Sequence, residues 1–452
     1  MNRSINFHLE HWLHQSDRKP LIVLGARQIG KTYSLREFGA TKFTKVHEFN
    51  FQSNRKLHKI FSGDLDTKRI IRELEFVSDT SIVPNGQELI FFDEIQECPE
   101  ALTSLKYFCE NLPEIPLVAA GSLLGLHLAP SSFPVGKVDI FHMFPMSFQE
   151  FVETTCSERE SAVFREGIIN PKSLSEVAHE KFWLLFKCYL ITGGLPESIT
   201  TWQKLGGVGG GVKAFAGTRE KLATIITSYM ADISKHAGKI NGMHIERVWK
   251  HIPQQLAAAV DEATGRFKFK DVVAGTNSYR DLIGPIDWLQ KAGLVLNVPI
   301  CHSIASPIGA YTKHNIFKLY MFDCGILGAM LSMPIKTVMD FDFGSYKGFY
   351  AENFVAQEIL AGSPSPANPI TLHSWSEGRA EIEFIFESDT GITPVEVKSG
   401  NRIRAKSLKS YVVRYTPKQT VILSARRPSV SIQNNVKLIN LPLYFAGALN
   451  SL

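Results

Sequence analysis

Residues 25–32 read Gly25-Ala26-Arg27-Gln28-Ile29-Gly30-Lys31-Thr32 and follow directly on the apolar run Leu21, Ile22, Val23 and Leu24. This G-x-x-x-x-G-K-[ST] pattern constrains the fold more than any other feature of the chain. It demands a buried strand before it and a helix after it. The glycines let backbone N–H groups turn inward around an anion at a helix N-terminus, where the helix dipole also favours negative charge. Lys31 then reaches the β- and γ-phosphates of a nucleotide, and the Thr32 hydroxyl is a ligand for Mg²⁺. The expected nucleotide-binding set is Gly25, Ala26, Arg27, Gln28, Ile29, Gly30, Lys31, Thr32 and Tyr33, with ATP and Mg²⁺ as the bound species.

Downstream, the apolar run 89–92 ends in Asp93 and Glu94. A first carboxylate at such a strand end holds magnesium together with Thr32, and a second polarises an attacking water. The next apolar run ends at Gly121 and Ser122, where a hydroxyl meets the γ-phosphate or the water. Lys31, Asp93, Glu94 and Ser122 are the expected catalytic residues. Short apolar runs separated by helical segments over residues 20–150 predict an α/β domain with a parallel sheet covered on both faces.

Several classes are excluded or disfavoured. An apolar fraction of 44% and a charged fraction of 21% argue against extensive disorder. Cys98, Cys109, Cys156, Cys188, Cys301 and Cys324 are scattered without a C-x-x-C pair, which suits neither a disulfide framework nor a zinc site and fits a reducing cytoplasm. The first residues lack the apolar core of a signal peptide. The stretch 117–128 is too short to span a bilayer, so a cytoplasmic protein with no membrane partner is expected. His8, His11 and His14 drift round a helix rather than converging, and are read as structural.

Over the rest of the chain, residues 1–19 read as a short amphipathic helix and 176–204 as helices. The run GGVGGG at 206–211 reads as a linker. Residues 218–260 are helical in period. Residues 267–299 read as helix, turn, helix and strand, and NSYRDLIGPIDWLQKAG within them is similar to the second helix of a winged helix-turn-helix, although a three-helix packing module gives the same pattern. From about residue 313 strands and helices mix. No acidic residue follows Glu396, whereas Lys398, Arg402, Arg404, Lys406, Lys409, Arg414, Lys418, Arg426, Arg427 and Lys437 do. Subtracting these ten from the 49 basic residues leaves 39 against 44 acidic ones in residues 1–396. This basic end either meets phosphate backbones, DNA being the candidate partner, or is a solvated face whose acidic partners lie elsewhere.

The ordered set GARQIGKT, LIFFDEIQECPE, AAGS, FPMSFQEF and GGLPE resembles a widespread family of prokaryotic AAA-type ATPases. Those proteins join the ATPase to a C-terminal domain of unknown function related to restriction endonucleases. The later stretches KLYMFDCGILGA, GFYAENFVAQEIL and PVEVKSG are similar to that domain. The resemblance implies an AAA-type P-loop domain over 1–150 and a helical lid with a Gly-rich linker over 151–210. It further implies a helical, winged-helix-like module over 211–312 and a restriction-endonuclease-like α/β domain over 313–452. It assigns the nucleotide to Gly25, Gly30, Lys31 and Thr32, the metal and water to Asp93 and Glu94, and the sensing position to Ser122. In one departure, Gly136-Lys137 stands where relatives commonly have Gly-Arg, and lysine lacks the planar bidentate reach of arginine.

Sites related to restriction endonucleases use two carboxylates on neighbouring strands to hold Mg²⁺ and a lysine two residues after the second. Glu383, Glu396 and Lys398 fit that arrangement, and Glu352 adds a further carboxylate for a second metal site. Relatives more often have Asp where Glu383 stands. Three functions follow as expectations: an ATP-driven switch or motor acting on DNA, a nucleotide-gated metal-dependent DNA nuclease, and a slow-turnover ATP-binding signalling or scaffold protein. A homo-oligomer or a protein partner goes with the first and third.

Overall fold

The computed structural model describes residues 3–122, 133–258, 265–340, 348–388, 391–399 and 405–451. They form two compact units. The first comprises Met1–Phe144 with Lys291–Gly293 and Pro364–Pro369; the second comprises Pro145–Gln290, Leu294–Ser363 and Ile370–Leu452.

The first unit is an α/β fold on a five-stranded sheet. Its strands are β1 (Leu21–Leu24), β2 (Lys45–Asn50), β3 (Glu88–Asp93), β4 (Leu117–Ala120) and β5 (Asp139–His142), in the order β2-β3-β4-β1-β5. Every pairing is parallel. Strands of LIVL, ELIFFD and LVAA type are apolar on both faces because helices cover both, as the alternation of runs predicts. Phe49, Phe51, Phe61, Phe92 and Phe108 pack edge to face around β3. Phe92 is fully buried, and each such ring contributes about 1.5–3 kcal/mol through burial alone. That cluster fixes where β3 ends, and therefore where Asp93 and Glu94 stand. The N-terminal segment is the expected amphipathic helix, Ile5–Leu13, with Ile5, Leu9 and Trp12 on its buried stripe.

The second unit is built on a mixed eight-stranded sheet. Its strands are β6 (Val295–Cys301), β7 (Thr312–Met321), β8 (His373–Glu377), β9 (Ala380–Ser388), β10 (Gly391–Val397), β11 (Gln419–Ser424), β12 (Ser429–Gln433) and β13 (Val436–Pro442), in the order β12-β13-β11-β10-β9-β8-β6-β7. Helices Glu176–Thr192, Pro196–Lys204, Gly211–His236, Lys239–Ala258 and Gly348–Ala361 belong to the same unit. A polar core joins segments far apart in sequence. Asp323 accepts from Gly194 N at 2.6 Å and Ile326 N at 2.9 Å. Gln357 accepts from Cys324 N at 2.9 Å and donates to the Tyr189 hydroxyl at 2.7 Å. Glu358 takes the Phe148 N–H at the start of helix Phe148–Thr155. The stretches FPMSFQEF, GGLPE, FDCGILGA and AENFVAQEIL therefore meet in one hydrogen-bonded interior.

Two local expectations change. The glycine run is a tight turn rather than an open linker. It forms a 3-10 helix, Gly207–Gly210, in which a Cβ on Gly210 would lie 2.1 Å from the Leu205 carbonyl oxygen. Only one helix, Tyr279–Lys291, forms among residues 267–291. Residues 266–269 run irregularly instead: Phe267 N bonds to Phe317 O at 2.8 Å, and Phe269 packs its ring on Phe317 and Tyr279. The aromatic side chains that gave the first helical reading are spent on β7. The ends of two expected segments, 123–128 and 259–260, lie outside the described residues, as do Arg402 and Arg404.

Candidate nucleotide site

The loop between β1 and helix Lys31–Lys42 carries the phosphate-binding motif. Gly25 has φ +148°, and a Cβ there would sit 2.3 Å from the Met143 carbonyl oxygen, so only glycine fits. Gly30 caps the helix with φ +98°, and Gln28 takes φ +61°. Lys31 is buried, and its Nζ donates to Gly25 O at 2.9 Å and Ala26 O at 2.7 Å. Burial pushes this ammonium down to about 8, against the opposing pull of Glu94 and Asp93.

Strand β4 lies between β1 and β3, so the ends of three strands face the loop. Thr32 Oγ1 donates to Asp93 Oδ1 at 3.1 Å, and Asn50 Nδ2 donates to Asp93 Oδ2 at 2.9 Å. Asp93 is buried, and its carboxyl is raised by desolvation and then by the Glu94 charge, with the Thr32 and Asn50 hydrogen bonds opposing. Glu94 is half-buried in a left-handed backbone conformation, φ +51°, and its Oε2 accepts from Gln96 Nε2 at 2.5 Å. Ser122, just past the end of β4, is buried and accepts from Arg27 Nε at 3.0 Å. The structure thus pairs Thr32 with Asp93 and Arg27 with Ser122 and holds Lys31 on the loop's own carbonyls, with Glu94 following Asp93. Tyr33 lies in the first turn of the helix and is 55% exposed.

Glycine-only geometry in the loop and the hard-oxygen pair of Thr32 and Asp93 both fit a magnesium nucleotide. Mg²⁺ keeps several waters and takes one or two protein ligands beside phosphate oxygens, so no all-protein cage is needed. Sequence reasoning missed three residues here. Asn50 ends β2 opposite Asp93 in register, a polar side chain closing an apolar strand. Gln96 lies two residues after Glu94. Arg3 is 5% exposed, and its guanidinium donates to Ile29 O in the loop at 2.6 Å and to Phe144 O at 2.8 Å. No local pattern marks Arg3, because its partners are 26 and 141 residues away. Lys137 is paired with Glu110 at 2.9 Å.

The second constellation also converges, in the second unit. Lys398 Nζ lies 2.7 Å from Glu396 Oε1 and 3.7 Å from Glu383 Oε1, and Val397 N donates to Glu383 Oε2 at 3.1 Å. Glu352 accepts from the Tyr320 hydroxyl at 2.8 Å and lies 3.6 Å from the buried Lys318, which also pairs with Glu381. Burial pushes the Glu383 carboxyl up to about 8, with Lys398 opposing. Two ammonium groups occupy the cluster. No group of three or more His, Cys, Asp or Glu side chains suited to a metal ion occurs among the described residues. The residues of the expected second metal site, Glu352, Glu383, Glu396 and Lys398, thus come together in a carboxylate–lysine cluster, with Lys318 as a further ammonium.

Residues 17–152 match the AAA domain family. Residues 184–337 and 347–444 each match a domain of unknown function (DUF8612 and DUF4143). None of the curated proteins matches the chain in sequence. Solved structures with distant similarity include the Walker-type ATPase of Pyrococcus abyssi, 16% identical over 73% of this chain and 95% of that one, with a TM-score of 0.45. Another is the Orc1 protein of Aeropyrum pernix in complex with DNA, 13% identical over 74% and 91%, with a TM-score of 0.25. A third is the RuvB Holliday junction branch migration motor of Thermotoga maritima, 14% identical over 65% and 89%, with a TM-score of 0.32. Similarity at that level transfers no function. No helix among the described residues is long and apolar enough to cross a membrane. Residues 17–152 thus combine a match to the AAA domain model with the loop geometry of a P-loop.

Proposed function

We propose that this chain hydrolyses ATP in the presence of Mg²⁺ and uses the cycle as a switch or motor on DNA. The observation that carries the reading is the Thr32–Asp93 hydrogen bond at 3.1 Å beside the buried Lys31. Together they gather a phosphate cation and two magnesium ligands. Lys31 would leave its carbonyl partners for the β- and γ-phosphates. Thr32 and Asp93 would hold the magnesium, which supplies charge neutralisation on the phosphate oxygens. Glu94 would polarise the attacking water from the position where Gln96 restrains it, and Ser122 would meet the γ-phosphate or that water. Cytoplasmic location goes with six free cysteines.

The DNA half of the reading rests on the acid-free basic segment after Glu396. A specific observation also supports slow turnover. Lys137, at the position where relatives carry arginine, is engaged by Glu110 on its own chain. The remaining transition-state cation would then come from a second copy or a protein partner. A nucleotide-gated nuclease is the alternative reading, supported by the approach of Glu383, Glu396 and Lys398, with Lys318 beside Glu352 as a competing cation.

The test is steady-state phosphate release with Mg²⁺ and ATP, with and without duplex DNA, on wild type, Lys31→Ala and Glu396→Ala. The reading expects a DNA-stimulated rate that Lys31→Ala abolishes and Glu396→Ala leaves intact. A rate indifferent to DNA would remove DNA from the account and favour the switch or scaffold.

A further inference from the structure

A cavity of about 690 Å³ opens in the second unit, away from the carboxylate–lysine cluster. The end of β9 and the start of β10 form one wall, where Ser388 pairs with Gly391, and the C-terminal end of helix Lys406–Tyr415 forms another. The floor is the start of β11 and β13, whose first pairing is Gln419 with Lys437. Its volume lies in the range of about 300–1,000 Å³ usual for ligand sites. Neither the nucleotide site nor any matched family assigns it a role.

Its lining has a consistent chemistry. Lys418 and Lys437 are exposed, and neither ammonium has an ion-pair partner among the described residues. Both lie in the segment that contains no acidic residue. One carboxylate, Glu387, faces the same cavity, and its Oε2 already accepts from Ile308 N at 3.2 Å. The Tyr415 ring is held by Trp375 and Tyr411 at centroid distances of 5.9 and 4.9 Å, so it is a rigid wall rather than a mobile side chain.

We infer that this cleft takes one segment of single-stranded nucleic acid, an inference that rests on the DNA reading above and names the form of the partner. Lysine ammonium groups would contact successive phosphates while an unstacked base packs beside the Tyr415 ring. Cationic grooves with aromatic walls hold single strands in this way. A duplex keeps its bases stacked and cannot fill the cavity.

The test is fluorescence anisotropy on the full chain, without ATP, using a labelled 20-nucleotide strand and the matching duplex over a range of salt. The variants are Lys418→Gln with Lys437→Gln, Tyr415→Ala, and Lys68→Gln with Lys172→Gln as a charge-matched control. The cleft pair should weaken single-strand binding about tenfold and flatten the slope of log K against log salt by about 1.4, or about 0.7 per lost phosphate contact. Tyr415→Ala should weaken it about tenfold with the slope unchanged, in keeping with one lost base–aromatic contact, and the control should behave as wild type. Wild-type binding that the cleft variants retain would overturn the cleft and leave the DNA reading standing. Equal losses for strand and duplex would overturn the single-strand assignment. No binding by wild type would overturn the DNA reading itself.

Discussion

The Thr32 hydroxyl, on the helix that follows β1, donates at 3.1 Å to Asp93 at the end of β3, a strand that is not a neighbour of β1 in the sheet. Asp93 presents that oxygen to Thr32 because Asn50 holds the other at 2.9 Å. Magnesium would exchange into this pair. Thr32→Ala should therefore raise the Mg²⁺ concentration for half-maximal ATPase activity about tenfold, in keeping with the loss of one hard-oxygen ligand. A magnesium titration of the ATPase rate checks this, and an unchanged midpoint would remove Thr32 from the metal.

Gln96 fixes Glu94 through a 2.5 Å hydrogen bond. Gln96→Ala should lower kcat about tenfold with little change in KM, because misplacing a catalytic group costs the chemical step rather than ground-state binding. Gln96→Glu sets a second negative charge against Glu94 and should cost more. Steady-state kinetics on the two variants separate these effects, and a rise in KM alone would show that Gln96 serves binding.

Arg3 lies outside the matched AAA segment, yet its guanidinium bridges Ile29 O and Phe144 O. A planar fork can span two carbonyls that a lysine ammonium cannot. Arg3→Ala and Arg3→Lys should both raise KM for ATP, about tenfold and about fivefold, with kcat held within about twofold. If both variants only lower the unfolding temperature and leave KM unchanged, Arg3 is structural.

Three buried carboxyls of the second unit are raised mainly by burial: Asp323 to about 6, Glu358 to about 8 and Glu383 to about 8. Each keeps its proton in the folded chain at pH values where the unfolded chain has released it. Their contribution to stability is complete below about pH 4 and is lost as pH rises through 6 to 8, at up to about 1.4 kcal/mol per pH unit per group. Urea unfolding at pH 5, 6, 7 and 8 should show falling stability, and Glu358→Gln should flatten that slope. A slope unchanged by Glu358→Gln would contradict the assignment.

The nucleotide site was legible because its determinants are local. Gly25 to Thr32 are consecutive, and the apolar runs before Lys31 and Asp93 announce the strands that aim them. What could not be read was set by distant partners. Asn50 reaches Asp93 only through strand pairing, and Arg3 reaches Ile29 only once the N-terminal helix has docked. In the second unit, the phenylalanines of 267–269 carry no signal distinguishing a helix face from a β7 contact. Likewise, the approach of Glu383, Glu396 and Lys398 was visible in the strand pattern, but Lys318 as a competing cation was not, because it comes from β7.

The most direct test of the central claim follows one labelled ATP in wild type and Glu94→Gln, measuring nucleotide bound and phosphate released in the same samples. The account predicts equal binding stoichiometry, with phosphate release reduced at least about a hundredfold in Glu94→Gln. Equal phosphate release from both proteins would contradict it, and the water-polarising role would have to pass to another residue.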